Sequence, residues 1–308
     1  MVISIPEVWQ AAEGAHKHYV CALINEALTS IALKRRVKSI PLRSLLEQHK
    51  DAIAIGVPAQ LRQVIATADG LLANQTPAVK KKFFSEAKRI FDYGEFSSKG
   101  TKGWNAYALC RKSKSTLCPY CQQAYAFTVF KDHKSKSFRP TLDHFFPKAS
   151  YPYLALSLYN LIPACQTCNS SLKGQTDFVT KPHLHPLEDD ECLRFDFDPA
   201  QYLAAKVAPN RPVGLTVVDD SGTIQGKNSI ETFLLRERFE CNALELNRFI
   251  DAVRNWTPDV IKKLKADWEI PWGDSFLESM LIGFDGDIYS QEMLGRIKRD
   301  LYKRLRSN

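Results

Sequence analysis

Two CxxC pairs set the first constraint on this chain: Cys118 with Cys121, and Cys165 with Cys168. Four thiolates presented as two such knuckles match the closed tetrahedral set of a structural zinc site, which leaves no coordination position for water. Such a zinc holds a fold together and takes no part in catalysis. The stretch between the knuckles is longer than in a compact zinc ribbon, so it must fold as an excursion whose two ends the metal clamps. Disulfides are the competing use of these cysteines, and nothing in the sequence points to an oxidising compartment. Cys21, Cys110, Cys192 and Cys241 have no partner spacing and read as small buried apolar residues.

Inside the clamp, Thr141-Leu142-Asp143-His144-Phe145-Phe146-Pro147 carries the β-branched and aromatic residues of a short strand, which the proline stops or turns away. Asp143 and His144 should point to opposite faces near its end. Tyr159-Asn160-Leu161-Ile162-Pro163 is a second short apolar run. The second knuckle then leads into Asn169-Ser170-Ser171-Leu172-Lys173, where Asn169 is expected to start a helix. The order is strand, strand, helix.

Residues 117 to 174 resemble an HNH endonuclease of the ββα-metal class, in the variety that carries a four-cysteine zinc site. The match rests on the Asp143-His144 pair, the Asn160-Leu161 run before the second knuckle, and Asn169 directly after it. The family letters fall on His144, Asn160 and Asn169, the last with asparagine in place of histidine. The resemblance implies that Asp143 and Asn169 bind one catalytic Mg²⁺ or Mn²⁺, that His144 deprotonates the attacking water, and that Asn160 braces the loop that aims the histidine. The narrower form, with helical extensions on both sides, resembles HNH effectors of bacterial anti-phage systems, including the nuclease subunit of Septu-type pairs. That implies an ATPase or other defence-system subunit as partner, docked on the flanks.

The chemistry calls for these residue types independently. An anionic phosphodiester resists hydroxide, so a catalyst must neutralise charge and also generate a nucleophile. Asp and Asn oxygens suit a hard cation. An imidazole of pKa about 6.5 can accept a proton near neutral pH. Lys173, about one helical turn beyond Asn169, can meet a phosphate oxygen or stay a solvated surface lysine. His183 and His185 alternate as on an extended segment and could approach the metal. Pro182 and Pro186 favour instead a loop packed along the domain.

A formal net charge of +8 and a pI near 9.0 favour an anionic partner, and DNA is the partner expected. The excess is dense around Arg111, Lys112, Lys114, Lys131, Lys134, Lys136 and Arg139, a candidate backbone-binding surface that includes the single acid Asp132. No apolar run approaches a membrane span, and the N-terminus lacks the basic-then-apolar order of a signal peptide, so a cytoplasmic location is expected.

With 308 residues, 44% of them hydrophobic, the chain can bury a sizeable core in two or three subdomains. The expected class is α+β: a mainly helical protein around a central zinc-stapled ββα-metal nuclease domain. Val8 to Ile31 has helical periodicity, and Pro41, Pro58 and Pro77 each suit the first turn of a helix. Residues 1–95 read as a helical region, Phe96 to Trp104 as a linker into a nuclease domain at 96–190, and 191–308 as mostly helical with a small β-piece at 193–197 and 215–218. The function expected is metal-dependent hydrolysis of DNA by an anti-phage effector. The alternatives are a stand-alone restriction or mobile-element endonuclease and a non-catalytic zinc-containing nucleic-acid-binding module.

Overall fold

A computed structural model describes residues 1–30, 37–132, 134–207 and 214–307. The chain is mainly helical and carries two separate two-stranded antiparallel sheets, in keeping with the α+β expectation. Contacts group it into two compact units: Ser4–Pro119 with Tyr125–Asp190, and Met1–Ile3 with Tyr120–Ala124 and Glu191–Asn308. Residues on both sides of position 95 therefore share one unit.

The first of these units opens with helices α1 (Glu13–Thr29), α2 (Ile40–Ile55), α3 (Pro58–Leu72) and α4 (Pro77–Ile90). Pro41, Pro58 and Pro77 stand in the first turns of α2, α3 and α4, where a missing N–H costs nothing. Apolar residues at helical spacing, such as Val20, Ile24 and Ala27 of α1 and Leu61, Val64, Ile65 and Ala68 of α3, form the buried faces. The first helix starts at Glu13 rather than Val8, and Ile31 lies outside the described residues. Trp9, ahead of that start, is buried, and its indole N–H donates to the Leu161 carbonyl (2.8 Å).

Two short helices follow, α5 (Tyr93–Ser97), capped by Asp92, and α6 (Ala106–Cys110), capped by Asn105. The stretch expected as a linker, Phe96 to Trp104, is packed at both ends, while Ser98, Gly100, Lys102 and Gly103 between them are exposed. Phe96 is fully buried edge-on to His16, and the Trp104 indole donates to His16 Nδ1 (3.1 Å). Strands β1 (Thr141–His144) and β2 (Leu161–Ala164) then pair with Asp143 opposite Ile162 and His144 opposite Leu161. Among the links by which the helical scaffold grips this hairpin are the Trp9 bond, His16 Nε2–H to Leu156 O (2.6 Å), Tyr159 O–H to Glu13 Oε1 (3.2 Å) and Phe83 edge-on to Tyr153.

In the other unit, β3 (Leu193–Phe197) pairs with β4 (Leu215–Asp219). Between them lie helix α7 (Pro199–Val207) and residues outside the described set. Helices α8 (Ile224–Thr232), α9 (Leu235–Glu240), α10 (Ala243–Asn255), α11 (Pro258–Asp267), α12 (Asp274–Ile282) and α13 (Gly295–Arg306) complete it. Asp300 joins α13 to β3, since its Oδ2 accepts from both Phe195 N–H (3.1 Å) and Arg296 Nε (3.2 Å). Among the described residues no helix is long and apolar enough to cross a membrane.

His16 generates a pH prediction. Burial pushes its pKa from 6.5 down to about 4, whereas in the unfolded chain it titrates normally. The unfolded state therefore takes up a proton first, so the stabilisation is complete above pH 6.5 and is lost as pH falls towards 4. The loss should reach about 3 kcal/mol across that window. In denaturant unfolding at stepped pH, His16→Gln should flatten this slope; an unchanged slope would show that His16 does not carry it.

Candidate functional site

The four knuckle cysteines meet: Cys118, Cys121, Cys165 and Cys168 bring their sulfurs within 4.8 Å of one another. Backbone N–H groups turn to the sulfurs, Gln123 to Cys121 and Cys168 to Cys165, both at 3.4 Å. Zn–S bonds of about 2.3 Å place tetrahedral sulfurs roughly 3.8 Å apart. Donor type and spacing thus both fit zinc, and this cluster can bind it. Cys118, Cys121 and Cys168 are buried and Cys165 half-buried, as a closed structural site requires.

Asp143 and His144 close β1, and both border one cleft of about 860 Å³. Alternation along a strand would separate them, but the strand ends at His144 and the cleft wraps around that end. His144 is buried, and its Nε2–H donates to Ala155 O (2.9 Å), which leaves Nδ1 with the lone pair of the neutral ring. Burial, aided by the charge of Lys148, pushes its pKa down to about 3, so the ring is uncharged at neutral pH.

Asn160 does not border the cleft but lies buried behind it. Its Oδ1 accepts from Phe146 N–H (2.7 Å), while Nδ2 donates to Phe146 O (3.0 Å) and Leu154 O (2.9 Å). With Phe145 N–H donating to Asn160 O (3.0 Å), the side chain locks the segment that follows His144 to the one that precedes β2.

The helical turn after the second knuckle spans Thr167–Lys173 and is wound as a π-helix, with Gly174 N–H reaching back to Asn169 O (3.1 Å). Its N-cap is Gln166, so Asn169 does not start the helix. The reason is the knuckle: Asn169 N–H is already donated to Cys165 O (3.0 Å), so winding begins inside the CxxC loop. Asn169 and Lys173 both border the cleft.

Lys173 departs from both roles expected of it. Its ammonium is buried and donates to Asp143 Oδ1 (2.7 Å) and to the carbonyl oxygens of His144 and Phe145, instead of facing a phosphate or solvent. The wide π turn aims it inward, and Asp143 rewards burial of the charge with a short ion pair. Lys88, Arg139 and Lys148 add further positive charge to the cleft walls, against the carboxylates of Asp143 and Asp92.

No protein-family model matches the chain, and no solved structure matches it. Curated proteins similar to it include the Septu protein PtuB of Bacillus thuringiensis, 32% identical over 99 residues, or 31% of this chain and 35% of that protein. Another is Protein ea31 of Escherichia phage lambda, 40% identical over 54 residues, or 17% of this chain and 18% of that protein. The chain thus spans well under half the length of each of these relatives.

Of the basic residues read from the sequence, Arg139 reaches the cleft wall, held by Pro140 O (2.9 Å) and Ser97 O (3.3 Å). Lys131, Lys134 and Lys136 are exposed on a neighbouring loop. His183 and His185 are buried. His183 stacks on Phe178, and His185 lies 3.9 Å from the Phe145 ring centroid with Nδ1 accepting from Leu187 N–H (3.1 Å). Sequence reasoning missed Tyr93 and Lys148. Tyr93 sets its ring edge against His144 at 4.5 Å, and Lys148 Nζ lies 4.5 Å from the Tyr93 ring centroid. Lys148, in the run after Asp143-His144, carried a signal; Tyr93, far away in sequence, carried none.

Cys118→Ser should reduce bound zinc below one ion per chain and lower the thermal midpoint of the unit, because the binding energy of a structural zinc is folding energy. Elemental analysis and calorimetry would check both. Purified wild-type protein without zinc, or a Cys168→Ser variant with unchanged stability, would remove the zinc assignment.

Proposed function

We propose that this chain is a metal-dependent endonuclease of the HNH, ββα-metal kind that hydrolyses DNA phosphodiester bonds in bacterial anti-phage defence. The observation that carries the reading is the meeting of Asp143, His144 and Asn169 at one cationic cleft, with Asn160 bracing the segment behind them. The nuclease core is the zinc-clamped hairpin and helical turn within residues 96–190. The similarity to the Septu protein PtuB supports the defence role and, with it, a defence-system subunit as partner; that this partner is an ATPase and that the protein acts in the cytoplasm rest on the sequence reading alone.

A bound Mg²⁺ or Mn²⁺ would supply Lewis-acid stabilisation of the phosphate and leaving oxygen. Asp143 and Asn169 would hold it, and their hard oxygen donors fit such an ion. Together they supply one negative charge, already paired with Lys173, so their grip on a bare cation would be weak without further oxygen donors from the substrate.

His144 takes the proton of the attacking water at Nδ1. Hydrogen bonding of Nε2 to Ala155 O fixes the tautomer, and the edge of Tyr93 restricts the ring's orientation. Lys88, Arg139 and Lys148 draw the phosphodiester in and offset its charge. The similarity to a phage protein favours a second reading, in which the same chemistry serves a mobile element and the enzyme acts alone. Neighbouring genes that encode no defence-system subunit would favour that reading.

His144→Ala should lower plasmid cleavage in Mg²⁺ or Mn²⁺ by at least about a hundredfold, with zinc and DNA binding retained. Cleavage at the wild-type rate would reject His144 as the base. In a metal titration, Asn169→Ala should raise the Mg²⁺ or Mn²⁺ concentration needed or abolish activity, and His185→Ala should have a much smaller effect. The zinc knuckle pre-positions Asn169, whereas His185 is packed on Phe145 with one nitrogen already used. The reverse ranking would make His185 the ligand.

A further inference from the structure

Beside the cleft, Tyr125, Phe127 and Val129 stand at alternate positions of an extended segment and so share one face. Val129 and Phe138 exchange both backbone hydrogen bonds (2.9 and 3.0 Å), which sets Phe138 on that same face. The rings form a continuous ladder, with centroids 5.3 Å apart for Tyr125 and Phe127 and 5.5 Å for Phe127 and Phe138. This ladder is open to solvent: Tyr125 is 63% exposed, Phe127 38%, Val129 47% and Phe138 53%. A contiguous apolar face of this kind marks a binding surface.

Its surroundings identify the occupant. The loop joining Val129 to Phe138 carries Lys131, Lys134 and Lys136, all exposed. Asp132 folds this loop by accepting from Lys134 N–H (2.7 Å), Ser135 N–H (2.6 Å) and the Ser135 hydroxyl (2.6 Å), and Lys99 caps the Ser135 carbonyl from outside. Apolar protein interfaces are depleted of lysine, whereas aromatic faces rimmed by lysine suit a polyanion whose bases stack on the rings. A duplex hides its base faces within its own stack, so only unpaired bases can use such a ladder. The ladder is joined to the cleft by a short stretch of chain. Arg139, next to Phe138, lines the cleft wall, and the chain from Phe138 to Asp143 can extend at most roughly 18 Å.

We propose that the Tyr125, Phe127 and Phe138 face, with the lysine loop beside it, is a track for single-stranded DNA that delivers unpaired substrate to the cleft. This inference rests on the nuclease reading for the fate of the strand and stands apart from it for binding.

The test uses the His144→Ala chain with no Mg²⁺ or Mn²⁺ added and no chelator, which would strip the structural zinc, so that the fold is kept and no cleavage interferes. Fluorescence anisotropy is measured with an oligothymidine and with a blunt duplex of equal length, over a range of salt. Combined Tyr125→Ala, Phe127→Ala and Phe138→Ala substitution should weaken oligothymidine binding by at least about tenfold, with little change for the duplex and an unaltered salt slope. Combined Lys131→Ala, Lys134→Ala and Lys136→Ala substitution should weaken both probes and reduce the salt slope. Zinc content and thermal midpoint confirm that the exposed substitutions leave the fold intact, and single substitutions serve if the triple variant fails that check. Unchanged oligothymidine binding by the folded aromatic variant would overturn the proposal. So would an aromatic variant that binds DNA normally but loses self-association on a sizing column, which would make the ladder a protein contact. Aromatic-dependent binding by a protein whose wild type cuts no DNA would reject the nuclease reading and leave the track standing.

Discussion

The buried ammonium of Lys173 is the interaction on which the site depends. It ties the helical turn that follows the second knuckle to the end of β1, through the Asp143 carboxylate and the carbonyls of His144 and Phe145. Burying an ion pair costs desolvation on both sides, and such a pair survives only where its remaining donors and acceptors are satisfied. Here the ammonium has three oxygens around it, so the turn carrying Asn169 and the strand carrying Asp143 and His144 are held in one register. Removing one partner of such a pair costs about 3–5 kcal/mol, because the other charge is left buried alone.

The pair also shapes the electrostatics of the cleft. With Asp143 compensated by Lys173, the surrounding Lys88, Arg139 and Lys148 leave the walls cationic, an environment that attracts phosphate more strongly than it attracts a bare divalent ion. On the proposed reading, a phosphodiester that enters would bring both the charge to be neutralised and further oxygen donors. His144 stays neutral through burial and needs no carboxylate to orient it, because Ala155 O fixes one nitrogen and Tyr93 one side of the ring. The N-terminal helices thereby belong to the site's support: α4 and α5 flank the cleft with Lys88 and Tyr93, while Trp9 and His16 hold the hairpin from behind.

Local sequence carried much of this. The CxxC knuckles announced the sulfur cluster, because ligand pairs on one tight loop need only meet a second such pair. The strand, strand, helix order around Asp143, Asn160 and Asn169 was legible from apolar runs and prolines, as were helices opening at Pro41, Pro58 and Pro77. Local reading failed where another part of the chain, distant or near, had already engaged the residue. Phe96 to Trp104 looked like a linker by its Gly, Ser and Lys content, but His16 engages Phe96 and Trp104. Asn169 looked like a cap, but the knuckle had already started the turn.

What the sequence by itself determined is the chemistry available: four thiolates for zinc, the Asp143-His144 pair, Asn160 and Asn169, and a basic excess, all fixed by residue type and short spacing. Tertiary structure alone decided which of these face one another. Lys173 turned from an expected phosphate contact into the partner of Asp143, Tyr93 came to rest on His144 from far along the chain, and Tyr125, Phe127 and Phe138 assembled an exposed ladder. The physical reason is that ion pairs, ring contacts and burial act through space between groups whose separation along the chain is set by loops, and loop residues encode little about where they lead.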